Sequence, residues 1–161
     1  MTLVKSLFLS GAIASLTASI ALADPKPANS VNADPQTVAN AFAGKTMRWK
    51  NCKAGVYYGG KWEAQALCEK DGSSIGLGKW SVTREGAVCI DLVFYWDENG
   101  ETKSQPQERN PDRIYHVVDQ NGQVWHRWED DTEWWRGFSD NLVKGFKYKG
   151  KIRRLRRKLD V

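Results

Sequence analysis

Histidine and cysteine are scarce in this chain, with two histidines and three cysteines among 161 residues. Neither His-x-x-x-His nor a paired Cys-x-x-Cys occurs, and a zinc site needs three or four such ligands. The chain also lacks Gly-x-Gly-x-x-Gly, a phosphate-binding loop and a Gly-x-Ser-x-Gly turn. Dinucleotide, nucleoside triphosphate and serine-hydrolase chemistry therefore leave no signature. "DENGE" at 97–101 opens like a calcium loop, but the alternating oxygen ligands and the downstream glutamate are missing. Its Asn99-Gly100 pair fits a hairpin turn instead. Glu63, Asp91 and Glu129 sit beside aromatic residues, yet nothing in the sequence fixes the carboxylate separation that glycoside hydrolysis requires. No catalytic residue, metal ligand or cofactor is assigned.

A long apolar run is also missing. Lys5 precedes an uncharged stretch from Ser6 to Ala23, but Ser10, Ser15, Thr17 and Ser19 dilute it. A membrane anchor needs about 20 predominantly apolar residues. A charged start, a short apolar core and Ala21-Leu22-Ala23 before Asp24 have the form of a secretory signal peptide covering residues 1–23. No cysteine precedes Cys52, so nothing near the cut can carry a lipid anchor. The expected mature chain runs from Asp24 to Val161, enough for one domain with a hydrophobic core.

The charge of that chain is segregated. Residues 151–161 carry six cations and one acid, whereas residues 24–150 carry a net −1. Export argues against nucleic acid as the partner of this basic tail, formed by Lys151, Arg153, Arg154, Arg156, Arg157 and Lys158. An anionic envelope surface fits better, whether lipid head groups, lipopolysaccharide or acidic polysaccharide. Ile152, Leu155 and Leu159 have helical spacing, but about 11 residues are too few for a stable isolated helix. The tail is expected to bind such a surface while the domain folds without it.

Between the two ends, residues 24–33 have the composition of a flexible linker, and 34–150 of a β-rich domain. Asp34, Pro35 and Gly44 supply the cap, first turn and stop of a short helix at 35–43, with Val38, Ala41 and Phe42 on one side. Thereafter Val, Ile, Tyr and Trp segments alternate with glycine turns, predicting an antiparallel meander of about seven to nine strands. A small barrel or a curved sheet would protect its edges. Residues 104–112 are expected to be a loop.

Hairpin counting gives testable pairings. A three-residue loop at 59–61 puts Tyr58 opposite Trp62 and Cys52 opposite Cys68, within disulfide range. The next hairpins put Cys89 opposite Ser81 and leave it unpaired; an exposed Cys89 would permit a linked dimer. A two-residue loop at Asn121-Gly122 places His116 opposite Arg127, so that His116 and His126 point to opposite faces. "WEDDTEWW" at 128–135 interleaves acids with indoles. Trp128, Glu129, Trp134 and Trp135 would form a ligand-binding rim if they converged; a packed barrel corner would use the same residues differently.

The segments "AGVYYGGKWEAQA", "GKWSVTREGAVC" and "DRIYHVVDQNGQVWHRW" resemble successive parts of the family called domain of unknown function 995, over about residues 40 to 150. The resemblance implies export from a Gram-negative cell to the periplasm or beyond, a compact β-rich domain and no established activity. It also implies a second cysteine shortly before the Asp-x-Ile-Tyr segment, which Ser104 to Pro111 does not supply. The resulting expectation is a non-enzymatic envelope protein that binds a surface ligand or partner. The alternatives are an envelope enzyme acting on glycans and a carrier of a small apolar ligand in a tryptophan-lined cavity.

Overall fold

The computed structural model describes residues 25–49, 52–70, 72–108, 112–139 and 141–161. The expected signal peptide lies outside them. β1 (Val31–Asn32) leads into α1 (Pro35–Phe42), then β2 (Lys45–Trp49) and β3 (Ala54–Tyr58). β4 (Glu63–Cys68), β5 (Ser74–Val82) and β6 (Val88–Glu98) continue the meander. β7 (Glu101–Pro106), β8 (Asp112–Val118) and β9 (Val124–Trp128) follow, then the short β10 (Trp135–Arg136) and β11 (Leu142–Lys144). The chain ends in α2 (Lys149–Leu159).

α1 begins where the sequence places it. The Asp34 carboxylate accepts from the Thr37 backbone N–H and hydroxyl, both at 2.7 Å, which also holds its pKa below the usual range. Val38, Ala39 and Phe42 are buried.

All neighbouring strands are antiparallel, in the order β10-β9-β8-β6-β5-β4-β3-β2-β11, with β1 added to β8 and β7 to β6. The path of nine strands must bend. Laid flat at about 4.8 Å per strand, its edges would stand about 38 Å apart. Yet only the steps from Arg136 to Leu142 join β10 to β11, and at about 3.5 Å per residue they span about 21 Å at most. The result is a curled half-barrel, the curved alternative expected from sequence.

Alternation then sorts the side chains. Met47, Val56, Tyr58, Trp80, Ile90, Leu92 and Ile114 fill the concave side with Val38 and Phe42 of α1. The Phe42 ring meets Tyr58 edge-on at 4.9 Å and His116 at 5.5 Å. α1 therefore plugs one end of the half-barrel. On the convex side, α2 covers Leu67 and Ile75, and Trp134 covers Val117 and Trp125.

Four expectations change. Val31–Asn32 of the linker pairs with Val118 and Val117, and Ala33 is buried. Residues 104–106 of the expected loop belong to β7, with Pro106 at its end, where a missing N–H is tolerated. The boundary drawn at residue 150 falls inside α2, whose Ile152 and Leu159 are buried against the sheet. The basic tail is thus part of the domain.

The fourth concerns the histidine hairpin. Asp119 Oδ1 accepts from the N–H groups of Asn121 and Gln123, and Oδ2 accepts from Trp125 Nε1. This favours a three-residue loop closed by Asp119 and Gln123, with Gly122 at φ +76°. The register moves by one residue, so His116 pairs with His126 and both share the concave face. One residue of slip exchanges the faces. By contrast, Asn99 and Gly100, both at positive φ, form the expected two-residue turn between Glu98 and Glu101.

Candidate functional site

The plugged half-barrel has one open end. There the last inward positions of β2 and β9, Trp49 and Trp128, meet Phe94 and Trp96 of β6 around a cleft of about 1180 Å³. Below it the interior is filled by fully buried Val56, Ala66 and Leu92, so the cleft is a broad mouth rather than a tunnel. Among the described residues, carboxylates outnumber cations on its lining five to two.

The Cys52–Cys68 disulfide lies on the rim of this mouth. The pairing is the expected one, but the ladder differs. Tyr58 pairs with Ala64 rather than Trp62, because residues 60–62 form a 3-10 turn and Gly59 N–H bonds to Glu63 C=O. The shift of two residues preserves the faces. Beyond the strand end, Lys53 takes positive φ and Cys52 C=O accepts from Glu69 N–H at 2.7 Å. That turn absorbs the difference and brings the two cysteines together.

The residues of "WEDDTEWW" do not share one surface. Trp128 lines the mouth. Glu129, on the opposite face, accepts from Arg113 at 2.9 Å and from the Tyr115 hydroxyl at 3.3 Å. Trp134 is buried on the convex side, and Trp135 on edge strand β10 is 41% exposed. Arg127 organises this corner: its guanidinium donates to the carbonyls of Trp128, Glu129 and Asp131. It also lies 5.1 Å from the Tyr115 ring centre and 5.5 Å from that of Trp134. Nothing in its sequence context marks Arg127, because the carbonyls it meets depend on the turn after β9. Glu63 and Asp91 flank Lys79 across three strands in register, so a cation stands between those carboxylates.

Cys89 sits opposite Ser81, as expected. It is buried, and burial raises its pKa despite hydrogen bonds from Arg113 and Ser81. The exposed thiol needed for a linked dimer is therefore absent from this surface.

His116 lies on the concave face at 1% exposure. Its Nδ1 lies 3.1 Å from Gly86 C=O and its Nε2 3.0 Å from Phe138 C=O. A neutral imidazole has one N–H, so only one of these contacts is a donated hydrogen bond. Burial pushes the pKa from 6.5 down to about 4, against the raising effect of both carbonyls. The unfolded chain thus takes up a proton at higher pH than the folded one. Stability is complete above pH 6.5 and falls as pH drops to about 4, by roughly 3 kcal/mol. Urea titrations across this range should show that slope, and His116→Gln should flatten it. An unchanged slope would contradict the assignment.

α2 carries the basic cluster. Lys149 and Lys151 occupy its first turn, where the helix dipole disfavours cations; docking, not propensity, holds it. Lys151 Nζ donates to both Glu69 oxygens at 2.9 Å, and Lys158 Nζ reaches Asp97 Oδ2 at 3.0 Å. The Lys158 hydrogen bond lowers the Asp97 pKa. Thr102 donates to Leu159 C=O at 2.9 Å. The arginines behave differently. Arg153, Arg154, Arg156 and Arg157 are exposed, and among the described residues no Asp or Glu side chain forms a salt bridge with them; Arg156 Nε donates to the Val161 main-chain oxygen at 3.1 Å. The sequence grouped six cations; the fold divides them into two lysines that clamp and four arginines that face outward.

A helix-plugged antiparallel half-barrel, with an aromatic mouth and an arginine-faced outer helix, defines a small β-rich domain. The chain belongs to the family described as "Protein of unknown function (DUF995)", which it matches over residues 7–160. No curated protein and no solved structure matches it. Among the described residues, no three His, Cys, Asp or Glu side chains converge as a metal site. No helix among them is long and apolar enough to cross a membrane.

Proposed function

We propose that this is an exported, non-enzymatic protein of the cell envelope, periplasmic or secreted, that holds to an anionic lipid surface through the outer face of α2. The observation that carries this reading is the division of the basic cluster. Ile152 and Leu159 fix the helix on the sheet, while the four arginines project from a rigid support. Folding alone needs no such unpaired excess of one sign. A preorganised row of guanidinium groups suits phosphate, which each can meet bidentately. The disulfide accords with an oxidising compartment, and the signal-like residues 1–23 with export. The filled interior gives no support to a deep apolar carrier.

The test uses the mature chain and phosphatidylglycerol vesicles in a sedimentation assay. Each cation near an anionic surface contributes about 1 kcal/mol, so replacing Arg153, Arg154, Arg156 and Arg157 by Gln should weaken binding roughly 1000-fold. The melting temperature should move by only a few degrees, because all four side chains are exposed. Equal binding by both proteins would overturn the proposal. So would retention on acidic polysaccharide alone.

A further inference from the structure

The mouth of the half-barrel takes no part in surface binding through α2, and its lining has a chemistry of its own. We propose that it is a binding site for an uncharged oligosaccharide, whose rings stack on Trp49, Trp96 and Trp128. Size is the first reason. At about 1180 Å³, the cleft exceeds the roughly 300–1,000 Å³ of pockets for single drug-sized molecules, which leaves room for several sugar rings. Depth is the second. The packed core beneath it admits no acyl chain, so a lipid tail has nowhere to go.

The walls supply the third reason. Indoles offer broad apolar faces with a polar edge, which match sugar rings, apolar on their C–H faces and polar around the rim. These tryptophans remain only partly buried, unlike Trp80 of the core. Between them stand the carboxamides of Gln107 and Asn141. A carboxamide both donates and accepts, as a hydroxyl does. Charge completes the selection: among the described residues carboxylates still exceed cations on the lining, four to two, once Asp97 is set against Lys158, which disfavours acidic polymers.

Tryptophan fluorescence titrations test this with chitohexaose, cellohexaose, maltohexaose and oligogalacturonate. At least one uncharged hexaose should give saturable binding, and oligogalacturonate should give none. Trp128→Ala and Trp96→Ala should each weaken binding about tenfold or more, consistent with tryptophan as a dominant contact. Trp128 also packs against the core, so Trp96→Ala with unchanged circular dichroism serves as the variant that keeps the fold. The four-arginine Gln variant should bind the sugar as the wild type does, which separates this site from α2. Failure of all three uncharged hexaoses, preference for oligogalacturonate, or binding indifferent to Trp96→Ala would overturn the proposal.

Discussion

A chain ending at Gly150 is expected to lose its cooperative fold. α2 buries Ile152 and Leu159 at 1% and 3% exposure, and it covers Leu67 and Ile75, both at 0%. Burying one such side chain is worth about 1.5–3 kcal/mol, so the four together contribute roughly 6 kcal/mol or more. That is comparable with the about 5–15 kcal/mol by which whole domains are stable. The truncated chain should show a broad or missing thermal transition and bind a hydrophobic dye. Ile152→Ala is the milder version, with an expected loss of about 2–5 kcal/mol in urea denaturation. A truncated chain that melts within a few degrees of the intact one would show that α2 is not part of the core.

The second large effect is expected at the disulfide. Cys52 and Cys68 are 16 residues apart, and closing a loop of about that length stabilises by roughly 3 kcal/mol in the chain-entropy model. The cross-link also ties the mouth end of β4 to the turn before β3, where the backbone leaves the ladder. The double variant Cys52→Ser/Cys68→Ser should therefore lower the unfolding free energy in urea denaturation by about that amount. Reducing agent should reproduce the shift in the wild type. A loss below about 1 kcal/mol would mean that the ladder alone holds this edge. Non-reducing peptide maps should contain the Cys52–Cys68 peptide and an unmodified Cys89.

These two sites also show how far local sequence reaches. Asn99-Gly100 fixes its own turn because both residues accept positive φ, so the β6–β7 hairpin was legible. Asn121-Gly122 carries the same signal but yields to Asp119, whose carboxylate organises a longer loop. That side chain has several ways to bond, and spacing does not select among them. The cysteine pair was legible because an error of two residues leaves the faces intact. α2 was not legible as core: its helical spacing is plain, yet the apolar surface that receives it comes from β4, β5 and β6, far away in sequence. The mouth was hidden for the same reason. Trp128 stood out within its own segment, but Trp49 and Trp96 join it only once the sheet curls.

One titration examines the outward face of α2 most directly. The intact mature protein is partitioned between buffer and phosphatidylglycerol vesicles as salt is raised, with phosphatidylcholine vesicles as the reference. Screening acts beyond about 8 Å at physiological salt, and exposed arginines are fully subject to it. The partition coefficient should fall steeply with salt on the anionic vesicles and stay near zero on the zwitterionic ones. Binding that ignores salt, or that is equal on both surfaces, would contradict the proposed role of Arg153, Arg154, Arg156 and Arg157.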